Sequence, residues 1–283
     1  MRRAFTIETG TGRTLELGRQ TAVVGVLNLT PDSFSDGGAY ADYGAAIDRA
    51  LEMEGEGADI VEIGAESTRP GARAASADLE LTRLLPVLER LAPRLRAPIA
   101  IDTYKSRVAR VAIDLGAKII NDVSALRFDL ELAEVVATAN AVLVLMHMRG
   151  TPETMQKMEP SPDILTEIEC DLADAVRRAS TAGVSEQKII LDPGIGFGKT
   201  LEQNLAIING LGRLSNLGYP LMLGTSRKGF IGKLTGRPES QRQFGTAATV
   251  VAAVLNGAHL VRVHDVKEMV DVVRVADALV AAG

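Results

Sequence analysis

The chain has 283 residues, of which 46% are hydrophobic and 24% are charged, and its formal net charge is −5. This composition is typical of a soluble protein with a large core, and no apolar run approaches the roughly 20 residues that a membrane span needs. The negative net charge argues against a general nucleic-acid-binding surface, so a polyanionic ligand would have to meet locally placed cations.

The first 20 residues predict a short β-hairpin. Two extended stretches flank a glycine-containing turn between Phe5 and Arg19, an arrangement that suits closure of the amino end of a larger fold. The residues before this turn become polar at once and lack the apolar segment of a secretory signal. We therefore expect a cytoplasmic protein that does not insert into a membrane.

Eight short apolar runs follow, and each ends in a cluster of polar, glycine and proline residues. Their β-branched content and lack of alternation are typical of strands that are buried on both faces. The runs begin at Val23, Asp59, Ile99, Lys118, Val142, Lys188, Pro220 and Leu260.

Segments with helical spacing follow each run. Strands that alternate with helices predict a parallel sheet, and eight such units, about one every 35 residues, match a (β/α)8 barrel. A doubly wound sheet usually has fewer strands and a switch point. We therefore predict an α/β fold, a (β/α)8 TIM barrel with a short N-terminal β-hairpin, in a single domain over residues 1–283. The predicted helices cover residues 43–55, 77–91, 105–115, 130–139, 163–182, 201–214, 241–255 and 266–280.

The loop after the first strand is a candidate site because active sites of such barrels gather at the carboxyl ends of the strands. Asn28 ends this strand, and its amide oxygen could serve as a hard ligand for Mg²⁺. Phe34 lies among the polar residues of TPDSFSDGG, where a plain turn has no use for it. A solvated turn remains the alternative for this segment.

The second loop contains Arg69 between Thr68 and Pro70. The proline keeps the backbone extended, and a guanidinium placed there suits bidentate recognition of a carboxylate or phosphate. A surface salt bridge is the alternative role for this arginine.

Three hydrogen-bond acceptors end strands that converge on one rim: Asp102, Asn121 and Asp192. Such a set suits a ligand with several N–H donors, for example a 2-amino-4-oxopyrimidine ring. Asp122 follows Asn121 directly and is expected to act as a cap instead.

The segment DPGIGFGKT, which starts at Asp192, is not a nucleotide-binding loop. Gly194 is separated from Gly198 by three residues, whereas a Walker A loop needs four, and the spacing also differs from a dinucleotide fingerprint. The glycines are instead expected to let the backbone approach a flat ligand, with Phe197 offering a ring.

Basic residues follow the last two strands. Ser226, Arg227 and Lys228 occupy the place where barrels commonly bind phosphate. Arg262 and His264 project to one side of the last strand because they are two positions apart, and with Asn28 they could hold a pyrophosphate and its metal. Lys199 and Arg69 are further candidate cations, and Asp265 is expected to cap the last helix.

Two residues of reactive types are expected to be structural. Cys170, the single cysteine, excludes an internal disulfide and is expected to be a buried, inert thiol within a helix. His147 ends the fifth strand and is interpreted as a satisfied structural imidazole.

These clusters, in this order, resemble dihydropteroate synthase from Val23 to Val280, on the motifs TPDSFSDGG, ESTRPG, IDT, IND, MRGTP, LDPGIGFGK, SRK and RVHD. The resemblance implies that 4-aminobenzoate is joined to 6-hydroxymethyl-7,8-dihydropterin pyrophosphate, which gives 7,8-dihydropteroate and pyrophosphate in folate synthesis. It also implies Mg²⁺ as cofactor and a homodimer.

The resemblance assigns roles to matching positions. Asp36, Arg69, Asp102 and Lys228 would be catalytic, with Asn28 on the metal. The pterin contacts would be Asp102, Asn121, Met146, Asp192 and Lys228. The 4-aminobenzoate contacts would be Phe34, Thr68, Pro70, Phe197 and Ser226, and the pyrophosphate contacts would be Asn28, Arg69, Arg262 and His264.

Two positions depart from the family pattern. Where the family commonly has Asp and then Gly-Gly before ESTRPG, this chain has Glu62 and then Gly64 and Ala65, and a slightly altered second loop is expected. A catalytically silent pterin-binding paralogue and a methyltetrahydrofolate-dependent methyltransferase remain alternatives, although the latter has no need for SRK, RVHD and the long first loop. A sugar-phosphate barrel enzyme would leave the three acceptors unexplained.

Overall fold

The chain begins with two antiparallel strands, β1 (Phe5–Glu8) and β2 (Thr14–Leu17), which form the predicted hairpin. Ile7, Leu15 and Leu17 are buried against apolar residues of the main sheet. The hairpin thus covers the amino end of that sheet. The computed structural model describes residues 2–10, 12, 14–29 and 39–282.

Eight parallel strands form a nearly closed barrel. They adjoin in the order β8-β7-β6-β5-β4-β3-β10-β9, and a parallel bridge between Leu191 and Leu221 brings the two ends of the sheet together. The predicted (β/α)8 barrel is confirmed. Its strands are β3 (Ala22–Asn28), β4 (Ile60–Gly64), β5 (Ile99–Asp102), β6 (Ile119–Asp122), β7 (Val142–Met146), β8 (Ile189–Asp192), β9 (Met222–Leu223) and β10 (Leu260–Val263).

Helices lie between the strands and after the last one. They are α1 (Ala39–Glu56), α2 (Ala77–Leu91), α3 (Ser106–Asp114), α4 (Glu131–Thr138), α5 (Ile164–Thr181), α6 (Leu201–Asn209), α7 (Leu211–Leu214), α8 (Gly229–Thr235), α9 (Gln243–Leu255) and α10 (Val266–Ala282). Short 3-10 turns cover Met155–Lys157, Glu186–Lys188, Ser215–Leu217 and Glu239–Gln241.

The helix predicted over residues 201–214 is two helices, α6 and α7, divided at Gly210. A Cβ there would lie 2.5 Å from Leu165 Cδ1, so a residue without a side chain lets α5 approach closely. Among the described residues, no helix combines the length and apolar character needed to cross a membrane.

The core has two layers because strand side chains alternate between the faces of the sheet. One layer fills the barrel interior and includes Val24, Ile60 and Ile190, with the hairpin residues at its amino end. The other lies between the sheet and the helices and includes Val61 and Ile101. The strands are buried on both faces, as their apolar runs predicted.

Cys170 is exposed, so the prediction of a buried thiol is wrong. It lies on α5, whose buried face carries Ile164, Ile168 and Leu172. Cys170 is two residues from both Ile168 and Leu172, which places it about 200° around the helix from each. The phase of the helix, rather than the apolar character of cysteine, decides its position.

Candidate functional site

Five strands each contribute one polar side chain near the carboxyl end of the barrel interior. Each lies two positions after an apolar interior residue, as Glu62 follows Ile60 and Asp192 follows Ile190. The pleat therefore points all five side chains inward. We call this set the floor cluster: Glu62, Asp102, Asn121, Asp192 and Arg262.

Hydrogen bonds to Glu62 organise the floor cluster. Arg262 Nε donates to Glu62 Oε1 at 2.6 Å, and Asn121 Nδ2 donates to Glu62 Oε2 at 2.9 Å. A terminal guanidinium nitrogen of Arg262 also reaches Asp102 Oδ2 at 3.2 Å. Asn121 Oδ1 is buried and has no hydrogen-bond partner among the described residues. An acceptor in that state can be satisfied by a donor from a ligand.

Burial tunes the acids and bases of this region toward neutral pH. Burial, together with the negative charge of Glu62, raises the pKa of Asp102 from 3.8 to about 7. Burial also raises the pKa of Asp192 to about 6, although Gly194 N–H donates to its Oδ1 at 2.7 Å. Burial and the positive charge of Arg262 lower the pKa of Lys228 to about 8.

A small, narrow cavity opens onto the floor cluster. Met146 and Phe197 belong to one apolar cluster at its edge, and Lys228 Nζ lies 4.2 Å from the centroid of the Phe197 ring. A flat heterocycle could pack between these groups with its polar edge on the acceptors. The lining residues are Thr68, Asp102, Asn121, Val123, Met146, Asp192, Gly194, Ile195, Phe197, Gly224, Lys228 and Arg262.

The glycine-rich loop after β8 forms one wall of the cavity. Gly194 has a φ of +67°, and a Cβ there would lie only 1.9 Å from His147 O. Lys199 Nζ donates to Gly194 O at 2.8 Å, to Phe197 O at 3.1 Å and to His147 O at 3.2 Å. The ammonium group of Lys199 already donates to three carbonyl oxygens, so Lys199 stabilises this loop. This structural role replaces the expected role as a cation for an anionic ligand.

A wider cleft lies above the small cavity. Both spaces are lined by Thr68, Asp102, Phe197, Lys228 and Arg262, so they share a boundary. The cleft also brings together the other described residues that the sequence predicted for substrate binding: Asn28, Arg69, Pro70, Ser226 and His264. Phe34 and Asp36 lie outside the described residues.

Arg69 lines the cleft but is largely exposed. Its guanidinium reaches Glu239 Oε1 at 3.1 Å across the rim, and its side chain is 64% exposed. Arg69 thus forms a surface ion pair at the edge of the cleft. The ion pair agrees with the surface role, and the position at the cleft agrees with recognition of a carboxylate or phosphate.

A buried ion cluster anchors the second loop. Glu66 Oε1 accepts from Ala75 N at 2.8 Å, and Lys105 Nζ bridges Glu66 and Glu80. Ala65 is not among the residues with positive φ, so the freedom of a glycine is not required there. The backbone that presents Thr68 to the cleft is therefore supported without strain at Ala65.

Ser226 and His264 form a neutral polar pair in the cleft. Ser226 Oγ lies 3.0 Å from His264 Nδ1 and accepts from His264 N at 3.2 Å. Burial and the positive charges of Arg262 and Arg227 lower the pKa of His264 to about 3. His264 is therefore uncharged at neutral pH and can donate or accept one hydrogen bond. Asp265, expected to cap α10, binds Arg227, whose Nε lies 3.1 Å away.

Asn28 and Asp102 present oxygens on either side of Gly64. A Cβ on Gly64 would lie 3.5 Å from Asn28 Oδ1 and 3.8 Å from Asp102 Oδ2, so the absence of a side chain keeps the space between them open. No described residue makes a hydrogen bond with the Asn28 side chain. Arg262 already donates to Asp102 Oδ2, so Asn28 Oδ1 is the free hard oxygen here, of the type that Mg²⁺ prefers, and this side chain fits such an ion.

Asp122 and His147 point away from the barrel interior. Asp122 accepts from Ser124 N and Ser124 Oγ, both at 2.7 Å, and so caps the turn after β6. His147 is buried with Nε2 3.2 Å from Asp171 Oδ2, and its other neighbour, Glu167, is already bound by Arg149 Nε at 2.7 Å. Asp122 is therefore the cap that the sequence predicted. The prediction of a satisfied imidazole at His147 is wrong, because neither ring nitrogen makes a hydrogen bond with a described residue.

Glu62 was not identified as part of the site by the sequence motifs. It was noted only as a departure from the family pattern. Its position two residues after Ile60, in phase with the interior of β4, is the signal that could have placed it on the floor.

Comparisons with known proteins match this architecture. The family described as pterin binding enzyme matches residues 24–264. A dihydropteroate synthase of Synechocystis sp. is 46% identical over 95% of this chain and 93% of its own length, and one of Bacillus subtilis is 47% identical over 93% and 90%. The crystal structure of Xanthomonas albilineans dihydropteroate synthase with 4-aminobenzoic acid has a TM-score of 0.91 and 40% identity, covering 99% of each chain.

The close approach at Gly194 predicts a large loss of stability in Gly194→Ala. The positive φ and the collision with His147 O both oppose a side chain, and we expect the free energy of unfolding to fall by more than about 2 kcal/mol. Urea unfolding followed by circular dichroism measures this change. Gly236→Ala is the matched control, because Gly236 has a φ of +69° and nothing within 4 Å of its Cβ position. Equal losses in the two variants would contradict the role of the close approach.

Proposed function

Because the chain belongs to the dihydropteroate synthase family of pterin-binding enzymes, we propose that it joins 4-aminobenzoate to 6-hydroxymethyl-7,8-dihydropterin pyrophosphate, as a transferase of folate synthesis. The products are 7,8-dihydropteroate and pyrophosphate. The observation that carries the proposal is the unpartnered Asn121 Oδ1, which lies with Asp102 and Asp192 in one small cavity beneath a larger cleft with basic residues.

The pterin would bind in the small cavity with its N–H donors toward Asp102, Asn121 and Asp192. A buried acceptor without a partner costs about 1–3 kcal/mol, so a ring edge of donors offsets a penalty that the empty cavity carries. Met146 and Lys228, on the walls of the same cavity, would contact the ring faces and edge.

The pyrophosphate would extend into the wider cleft toward Arg262, His264, Asn28 and Arg69. Neutral His264 can donate a hydrogen bond to a phosphate oxygen when its tautomer allows. Arg69 would exchange Glu239 for the anion at little cost, since an exposed ion pair contributes about 0–1 kcal/mol. Mg²⁺, held in part by Asn28, would when bound neutralise charge on the leaving group.

The 4-aminobenzoate would lie in the wider cleft among Thr68, Pro70, Phe197 and Ser226. An aryl amine is unprotonated at neutral pH, so the attack requires no strong base. As pyrophosphate departs, the pterin methylene would become cationic, and the carboxylate of Asp102 would stabilise that charge. The amine nitrogen would then form the new C–N bond and release a proton to solvent. Positioning and fixed charges then supply the catalysis.

The proposal extends to features that the family resemblance implies. Phe34 and Asp36 would close the first loop over the reacting centre, and the barrel would act as one domain in the cytoplasm on small soluble substrates. A homodimer would bury apolar side chains that α9 and α10 expose, among them Phe244, Leu255 and Val275.

The direct test supplies purified protein with Mg²⁺ and both substrates, and follows pyrophosphate and dihydropteroate together. We expect equal amounts of the two products.

Asp192→Asn should raise the KM for the pterin substrate about tenfold or more, because one buried acceptor becomes a mixed donor and acceptor. Pterin binding without turnover would indicate a silent paralogue, and a lack of pterin binding would contradict the acceptor pocket.

The shifted pKa values predict a bell-shaped pH profile for kcat/KM of the pterin substrate. Below about 6 to 7, Asp192 and Asp102 take up protons and lose acceptor strength, and above about 8 Lys228 loses its charge. Such profiles report groups of the free enzyme. Lys228→Arg should move the alkaline limb upward, since a guanidinium stays charged. An unchanged alkaline limb in that variant would exclude Lys228 as its source.

Asn28→Ala should weaken the dependence of the rate on Mg²⁺ by removing an oxygen ligand. We expect the Mg²⁺ concentration for half-maximal rate to rise about tenfold, measured at saturating concentrations of both substrates. Asn209→Ala, which changes an exposed asparagine at the end of α6, is the control. An unchanged Mg²⁺ requirement in Asn28→Ala would make the metal assignment wrong.

A further inference from the structure

Glu62 is enclosed by the floor cluster and lines neither cavity. Its side chain is almost fully buried, and both of its oxygens have partners within the protein. Oε1 accepts from Arg262, and Oε2 accepts from Asn121 Nδ2 at 2.9 Å. The hydrogen bonds of Glu62 therefore reach the ligand site only through these two residues.

A carboxylate and a carboxamide differ in the hydrogen bonds that they can form. An ionised carboxylate only accepts hydrogen bonds, whereas the asparagine amide has a donor end and an acceptor end. Facing Glu62, Asn121 can therefore satisfy the contact only with Nδ2. Its Oδ1 is then turned away from Glu62 and is buried without a hydrogen-bond partner among the described residues, and Asn121 lines the small cavity.

The topology explains how one residue reaches both partners. Glu62 is on β4, Asn121 is on β6 with β5 between, and Arg262 is on β10 with β3 between. Two strand spacings amount to about 9.5 Å, so Glu62, Asn121 and Arg262 all extend into the space between their strands, which must be open beside Glu62. Its register partner on β5 is Ala100, whose small side chain leaves that space.

We propose that Glu62 is a positioning residue that sets the hydrogen-bond polarity of the small cavity: by accepting from Asn121 Nδ2, it holds Asn121 Oδ1 toward the ligand and selects a ring edge that presents an N–H donor. The inference rests on the proposed function in one respect, namely that the ligand of this cavity is a pterin. Arg262 completes the arrangement, because it binds the second oxygen of Glu62 and keeps the carboxylate in place.

Glu62→Gln tests this role because it keeps the shape of the side chain and adds a donor. Arg262 can only donate, so the glutamine oxygen is drawn to Arg262 and its NH₂ group faces Asn121. Asn121 then reverses, accepts with Oδ1 and presents Nδ2 to the cavity. A donor opposite a donor should weaken pterin binding about tenfold to a hundredfold. Glu62→Asp keeps an acceptor-only group and should preserve the orientation of Asn121.

The measurement is calorimetric binding to the full-length protein of two probes, 2-amino-4-oxopteridine and 2,4-dioxopteridine. The second replaces the 2-amino donor with a carbonyl acceptor and changes N1 from an acceptor to an N–H donor. Wild type and Glu62→Asp should prefer the amino compound, and Glu62→Gln should lose at least tenfold of that preference. Kinetically, the KM for the pterin substrate should rise in Glu62→Gln, with the KM for 4-aminobenzoate changed less than about threefold.

A double-mutant cycle separates this role from a general structural one. In an Asn121→Ala background, Glu62→Gln should cause no further loss of pterin affinity, because the effect passes through Asn121. Additive losses, or an unchanged preference in Glu62→Gln, would overturn the proposal. If Glu62→Gln does not fold, Asn121→Ala still decides, since a wild-type preference for the amino compound that is unchanged in this variant contradicts an acceptor fixed at Asn121. Turnover is not needed for these readouts, so an inactive protein with the expected preference would contradict only the proposed function.

Discussion

Side chains of a β-strand alternate between two faces, and in this barrel that alternation places one polar group from each of five strands at the same level of the interior. The apolar residues two positions earlier on each strand fill the barrel and meet the hairpin. Because the barrel is nearly closed, groups from distant strands come within hydrogen-bonding distance across its axis. The chemistry of the site depends on this change from an apolar to a polar side chain between two successive interior positions of the same strand.

Burying these charges together constrains them mutually. Three carboxylates, Glu62, Asp102 and Asp192, share the interior with the cations Arg262 and Lys228, so the fully ionised set carries one excess negative charge. The pKa of Asp102 rises and that of Lys228 falls because each charged form is poorly solvated. Isolated charges would be far more costly here, and the network of Arg262 with Glu62 and Asp102 is what permits the arrangement.

The loops around this interior differ in how firmly they are held. The glycine-rich loop is fixed by Lys199, which binds three carbonyls, and by the close approach of Gly194 to His147 O. The second loop is anchored through Glu66 and Lys105, yet its tip carries Arg69 in an exposed ion pair. A rigid inner cavity beneath an outer cleft with an adjustable cation suits a ligand whose ring is recognised closely and whose anionic part must later depart.

The sequence by itself determined the alternation of strands and helices, the hairpin, and the convergence of Asp102, Asn121 and Asp192, because these follow from apolar periodicity and from the rule that strand ends share a rim. It could not decide which groups would pair. Glu62 bonds to partners 59 and 200 residues away, and only closure of the barrel brings them together. The structural role of Lys199 and the exposure of Cys170 were likewise decided by tertiary contacts and helix phase. Local pattern selects the face on which a side chain lies, whereas its partners depend on packing across the whole chain.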